Sequence, residues 1–266
     1  MRTEPELNIF KRRHFQPVYF SWPNWRLIGR KNGAMVPTYK VATLLYPGAD
    51  ILDFSGPVEI YSTSPPPGKE RAFITTTFSH VNPVTVAANA FTYTPDKSLP
   101  DIAASIEEYD ILLIPGAWPQ VIEDLVGTDD GKKILALVQK FAALPPRKET
   151  GHRVIQSVCT GALILGASGI LANRTVTTHH LSYEKLKEMA DEAAGGESHI
   201  DILRKKRWVD AGKTEAGVRI INAGGVSSGL DASLWIVEEL AGKDFADWTA
   251  NIVEFERRGK DDGWSN

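Results

Sequence analysis

The chain contains one cysteine, Cys159, and its neighbours mark it as a candidate nucleophile. It sits in Arg153-Val-Ile-Gln-Ser-Val-Cys-Thr-Gly-Ala-Leu-Ile-Leu-Gly-Ala-Ser-Gly169, which begins as a short apolar strand and continues as a run of small and aliphatic helix formers. Ser157 lies two residues before the cysteine and Gly161 two residues after. A sharp strand-to-helix turn crowds both of those positions, so a nucleophile elbow needs small residues there. A sulfur at a helix N-terminus also meets free N–H groups and the positive end of the helix dipole, which favour thiolate over thiol. A lone cysteine outside such a setting is more often a small buried hydrophobe.

Asp53 is the first candidate partner. It lies in the otherwise apolar run Ile51-Leu-Asp-Phe54 just beyond a strand. A carboxyl group buried there would hold a proton to higher pH and could hydrogen-bond a thiolate. Its other use would be to cap a helix starting near Ser55 and Pro57. Thr160 follows the nucleophile; its backbone N–H is the usual oxyanion donor at an elbow, and its hydroxyl could place a water. The turn Pro115-Gly116-Ala117-Trp118 could aim further N–H groups at a ligand, Ala117 as a second donor and Gly116 chiefly making the turn. Trp118 is a candidate pocket wall. His179 and His180 are placed to act near a cysteine or, more commonly for a histidine at a strand end, as structural contacts.

Composition limits what these residues can be part of. The 266 residues are 42% hydrophobic and 24% charged, enough to bury a core in one large domain. A single cysteine permits no internal disulfide, a composition that reads as cytoplasmic. No apolar run is long enough to span a bilayer, and six histidines without paired spacing give no metal signature. Residues 1–36 hold seven basic and two acidic residues, leaving 23 basic against 31 acidic beyond them. That net −8 argues against a nucleic-acid surface on the main body. Residues 1–36 read as a loosely ordered extension ahead of a domain over 37–266. Their Arg-rich composition keeps mitochondrial targeting open, although Glu4 and Glu6 speak against it.

The elements that must position the candidates follow in order. Lys40–Tyr46 and Tyr109–Pro115 read as buried strands ended by turns, and Arg71–Phe78 as a β-branched one. Val81–Ala88 is expected to extend the sheet as a hairpin. Asp129–Ala143 is an amphipathic helix with Ile134, Leu137, Val138 and Phe141 on one face. Ser182 is expected to cap a helix over Tyr183–Ala194. Trp208–Asp210 and Val218–Asn222 read as paired strands, and Gly224-Gly225 leads into a last long helix over Ala232–Leu240, with Asp231 supporting the loop before it. Strands alternating with helices predict an α/β three-layer sandwich around a mainly parallel sheet. Ligands then bind beyond the carboxyl ends of the strands, where Pro47–Asp53, Pro115–Trp118 and Ser157–Thr160 would converge.

Taken together, Tyr46-Pro-Gly48, Leu52-Asp-Phe-Ser-Gly-Pro57, Ile114-Pro-Gly116, Ser157-Val-Cys-Thr-Gly161 and Thr177-Thr-His179 resemble the ThiJ/PfpI superfamily, which has the class I glutamine amidotransferase-like fold. The resemblance covers about residues 39 to 242. Asp at 53 and Thr at 160 are most similar to the isonitrile hydratase branch. That branch implies a homodimer, no cofactor, and hydration of a small-molecule isocyanide to an N-substituted formamide. By the same resemblance Cys159 is the nucleophile and Asp53 the proton source. Thr160 holds the cysteine loop. The chain departs from common members by reading Gly116-Ala117 rather than Gly-Gly, and by carrying His180 after His179.

Thr160 stands where PfpI-type proteases carry His, and no His follows Ala223 to complete an amidotransferase triad. The enzyme alternative is a glyoxalase or deglycase acting on methylglyoxal-type carbonyls. The non-enzyme alternative is a redox-sensing or chaperone-like protein in which Cys159 is oxidised. The stretch after Gly242 is too short for a DNA-binding helical module.

Overall fold

Apolar residues alternate along the central strands, and the alternation sorts two cores. In β1 (Tyr39–Leu44), Tyr39 and Val41 face one side and Ala42 and Leu44 the other. In β6 (Ile111–Ile114), Ile111 and Leu113 join the first core and Leu112 and Ile114 the second. A strand with both faces buried reads as a continuous hydrophobic run, the mark of a parallel sheet covered on both sides.

The computed structural model describes residues 37–263. After β1 come α1 (Ile51–Ser62), β2 (Phe73–Ser79), β3 (Val84–Thr85), β4 (Thr92–Tyr93), β5 (Lys97–Ser98) and α2 (Leu99–Ser105). Beyond β6 follow α3 (Pro119–Gly127), α4 (Asp129–Ala142), β7 (Val154–Ser157) and α5 (Gly161–Ala167). The chain continues through β8 (Thr175–Val176), α6 (Tyr183–Ala194), β9 (Asp201–Ile202), β10 (Trp208–Lys213), β11 (Arg219–Ala223), α7 (Ser228–Ala241) and α8 (Lys243–Ile252). Seven strands form the main sheet in the order β10-β11-β7-β6-β1-β2-β5. Every pairing in it is parallel except β10 with β11. Helices cover both faces, with α1, α7 and α8 packed together on one of them. This is the expected α/β sandwich. The extension expected over residues 1–36 lies outside the described residues. No helix among the described residues is long and apolar enough to cross a membrane.

Several elements differ from the sequence-based reading. Helix α1 begins at Ile51, not near Ser55, because Asp50 is its N-cap and accepts from the Leu52 N–H at 3.2 Å. Asp53 therefore lies inside the first turn, and Pro57 lies inside the helix. Pro57 has no N–H, so the Asp53 carbonyl loses its ordinary partner one turn on. Val84–Thr85 pairs with Thr92–Tyr93 in a separate two-stranded ribbon and does not extend the main sheet. Helices α2 and α3 are too short for their periodicity to stand out. The last expected helix begins earlier, at Ser228, and α8 follows it. The hydroxyl of Ser182 makes no capping bond to α6.

Candidate active site

The register of the central strands brings three chain segments together. Ile114 of β6 lies opposite Ser157 of β7, and β1 runs beside β6, so all three carboxyl ends open on the same edge of the sheet. Between β7 and α5, Cys159 takes a left-handed backbone with φ +56°. Its N–H donates to the Gly224 carbonyl at 2.8 Å, and its own carbonyl accepts from the Thr178 hydroxyl at 2.8 Å. The tight turn leaves no room at position 161: a Cβ there would stand 2.2 Å from the Ile114 carbonyl oxygen. Below the elbow, Tyr61 of α1 donates to Gln156 of β7 at 2.7 Å, and Gln156 donates to Ser233 of α7 at 2.8 Å. This buried chain of hydrogen bonds fixes the strand that carries the nucleophile.

Gly116 is where the segments come closest. A Cβ on it would meet the Thr160 hydroxyl oxygen at 2.4 Å, the Thr160 nitrogen at 2.7 Å and Asp53 Oδ2 at 2.8 Å. Its N–H donates to Asp53 Oδ2 at 2.9 Å. The Ala117 N–H donates to Thr160 Oγ1 at 2.9 Å, and Thr160 Oγ1 donates back to the Ala117 carbonyl at 2.5 Å. Neither Gly116 nor Ala117 is thus a spare oxyanion donor, because both N–H groups already serve partners inside the protein. The Thr160 hydroxyl, expected to place a water, instead fastens the Pro115–Trp118 turn to the elbow. Tyr46, at the end of β1, donates to the Pro115 carbonyl at 2.9 Å and completes the clamp.

Asp53 and Cys159 face each other in this enclosure. Asp53 is fully buried, and its Oδ1 has no hydrogen-bond donor. Burial, reinforced by the nearby Asp50, pushes its carboxyl up to about 8, while the Gly116 N–H and the Cys159 thiol pull the other way. Burial, then the Asp53 charge, pushes the Cys159 thiol up to about 12. The Val226 and Thr160 N–H groups oppose that rise without reversing it. At neutral pH the pair therefore rests as a carboxylic acid beside a thiol, not as the thiolate that the elbow alone predicts. Dehydration outweighs the end of a helix only seven residues long.

The remaining candidates lie around this centre. Trp118 is 75% exposed, so within one chain it is a rim residue and not a closed wall. His179 packs against Gly225, next to the Val226 that serves the sulfur, and its Nδ1 accepts from the Leu181 N–H at 3.3 Å. Burial, then His180, pushes the His179 imidazole below its ordinary value, so it is neutral at pH 7. The rings of His179 and His180 are 4.4 Å apart. Asp231, expected to support a loop, forms a buried ion pair with Arg207 at 2.6 Å from within α7. Sequence reasoning missed Tyr46 and Val226. The first lies two residues beyond β1 and the second directly follows the Gly224-Gly225 pair, which were the available signals. Among the described residues no group of three or more His, Cys, Asp or Glu is arranged to hold a metal ion.

A strand-to-helix cysteine at the carboxyl edge of a parallel sheet, faced by a buried acid from the first helix, defines a class of α/β protein. The DJ-1/PfpI family model matches residues 39–218, and the chain belongs to that family. It is 25% identical over 219 residues to isonitrile hydratase from Pseudomonas putida, covering 82% of this chain and 77% of that protein. The fold is similar to a ThiJ/PfpI family protein from Pseudomonas syringae, with TM-score 0.61, 22% identity, and 85% and 78% of the two chains covered. It is also similar to Drosophila melanogaster DJ-1beta, with TM-score 0.62, 18% identity, and 82% and 99% covered.

Proposed function

We propose that the protein is an isonitrile hydratase-like lyase that works as a homodimer, without a cofactor, on a small-molecule isocyanide. The observation that carries this reading is the geometry of the pair: a fully buried Asp53 carboxyl, one oxygen of it without a hydrogen-bond partner, beside a cysteine held in a left-handed elbow. The similarity to isonitrile hydratase supports the same reaction class. An isocyanide carbon must gain both a nucleophile and a proton, and the pair holds both.

In the first step the Cys159 sulfur bonds to the terminal isocyanide carbon. The S–H bond breaks, and a proton passes through the Asp53 carboxyl to that carbon, leaving a thioimidate (R–N=CH–S). Water then adds, its hydroxyl to carbon and its proton to nitrogen. The carbon–sulfur bond breaks as the hydroxyl becomes a carbonyl. Its proton returns by way of Asp53 to sulfur, releasing the formamide. The Val226 and Thr160 N–H groups stabilise charge on sulfur in both steps. No external acid or base is consumed.

The test is formamide production from an aryl or alkyl isocyanide by purified protein, with Cys159→Ala as control. Turnover that vanishes in the variant supports the reading; equal turnover in the variant rules out covalent catalysis. Absence of formamide, together with turnover of methylglyoxal, would assign the same acid–thiol pair to a glyoxalase or deglycase instead.

A further inference from the structure

The first turns of α1 and α2 carry the same pattern and use it differently. Each helix has a capping residue followed three positions later by an aspartate: Ser98 and Asp101 in α2, Asp50 and Asp53 in α1. In α2 the pattern closes a capping box. The Asp101 carboxylate accepts from the Ser98 N–H at 3.3 Å and from the Ser98 hydroxyl at 2.6 Å. In α1 the box stays open. The Asp50 N–H donates to the Gly116 carbonyl at 2.8 Å, so Asp53 has no free N–H to reach back for. Its carboxyl turns inward and accepts from the Gly116 N–H at 2.9 Å.

Two acidic residues are thereby fixed one helical turn apart by the two backbone groups of Gly116. Their surroundings differ. Asp50 is half-buried, and its Oδ1 accepts from the Leu52 N–H at 3.2 Å at the start of a 12-residue helix, a place that favours a carboxylate. Asp53 is fully buried, and its Oδ1 has no donor.

No cation stands between them. Among the described residues, the ionisable groups acting on Asp53 are Asp50 from its own helix and Cys159 from the elbow. Tyr46, at the end of β1, faces Asp53, Cys159 and Asp50 and keeps its proton. His179, from the β8–α6 connection, faces Asp50 and is neutral at pH 7. Two carboxyl groups so close, without a positive partner, do not both ionise cheaply. The capped and better hydrated one ionises first, and its charge then reinforces burial in holding the proton on the other.

We infer that Asp50 is a positioning residue for the proposed reaction: a standing anion one turn from Asp53 that keeps there the proton destined for the substrate carbon. Its effect on rate rests on the isocyanide reading; its effect on the proton does not.

Asparagine and serine cap helices about as well as aspartate, so Asp50→Asn and Asp50→Ser remove the charge and keep the cap. Both should melt near wild type. Infrared difference spectra of the full chain follow the protonated carboxyl band as pH rises, and Asp53→Asn identifies the Asp53 band by its loss. In wild type the band should fade with a midpoint at about pH 8. Removing a negative neighbour lets Asp53 release its proton sooner, so both Asp50 variants should move the midpoint down by at least about half a pH unit. The alkaline fall in formamide production should move with it, and turnover at about pH 8 relative to about pH 6 should drop roughly twofold further than in wild type. A residue that only caps the helix would move neither. The inference is overturned if the midpoint stays or rises in the variants, if wild type shows no such band near neutral pH, or if the band moves while the alkaline limb of turnover does not. A midpoint that moves in a protein without isocyanide turnover would sink the proposed reaction and uphold the hold of Asp50 on the Asp53 proton.

Discussion

The crevice around Cys159 and the shallow groove beside β10, lined by Trp208, Asp210, Trp235, Arg257, Arg258 and Lys260, are carried by the same sheet, yet they treat polarity in opposite ways. In the crevice the reacting side chains are buried and rest neutral, and the surrounding N–H groups are engaged. In the groove Asp210, Arg258 and Lys260 are exposed and charged. Burial gives the crevice its chemistry, since only there is a carboxyl group still a proton donor near pH 7.

Crowding is the strongest lever on that difference. Gly161→Ala would push a methyl group onto the Ile114 carbonyl, and Gly116→Ala would push one onto Thr160 and Asp53. Both should lower stability by at least about 2 kcal/mol and abolish turnover, read by thermal melts and formamide assays. Neither backbone can move aside without breaking hydrogen bonds. A silent alanine at either position would mean the crevice is looser than its geometry indicates.

Asp53→Asn keeps the shape and removes the transferable proton. Turnover should fall by about a factor of 10² to 10⁴. The same variant sharpens the electrostatic contrast. The folded carboxyl titrates at about 8, far above its unfolded value near 4, so the folded state keeps a proton that the unfolded state releases. That contribution to stability is fully present below about pH 4 and drains away as pH rises toward about 8, by at most roughly 1.4 kcal/mol per pH unit. Denaturant melts across this window should show the decline in wild type and a flatter profile in Asp53→Asn. Wild-type turnover should also fall as pH passes about 8 and the acid is lost.

Thr160→Val deprives the buried Ala117 N–H of its acceptor and the Ala117 carbonyl of a donor. A stability loss of about 2 kcal/mol is expected, with activity reduced, and Thr160→Ser should restore both. The smallest effect belongs to the other region: Arg258→Glu with Lys260→Glu should leave isocyanide turnover within about twofold of wild type. A larger change would mean that the two regions communicate.

The crevice was far more legible in the sequence than the groove. A nucleophile elbow is local, because Ser157, Cys159 and Gly161 announce it within five residues. The strand ends feeding it are also marked, by Pro47-Gly48 and Pro115-Gly116. Asp53 could be singled out because a carboxyl inside an apolar run is rare. Its protonation could not, since that depends on burial and on Asp50 one turn away. The start of α1 was misplaced because Ser55 and Pro57 imitate a helix entry that Asp50 in fact supplies. The reading of Ala117 as an oxyanion donor failed for a similar reason: spacing reveals that an N–H group is present, not whether it is already used. The groove draws on Trp208, Trp235 and Arg258, from three elements brought together only by the antiparallel edge and the returning tail.

The close approach of three segments at Gly116 also sets where this protein can change. An atom added at position 116 or 161 meets Thr160, Asp53 or the Ile114 carbonyl, and Asp53, Cys159 and Thr160 are buried around them. Trp118 and Leu181, 75% and 72% exposed, are bound by no such limit. A search for altered substrate preference should therefore randomise the rim and leave the centre as it stands. Variants at the rim will mostly fold, whereas those at the centre will mostly be lost before any activity can be scored.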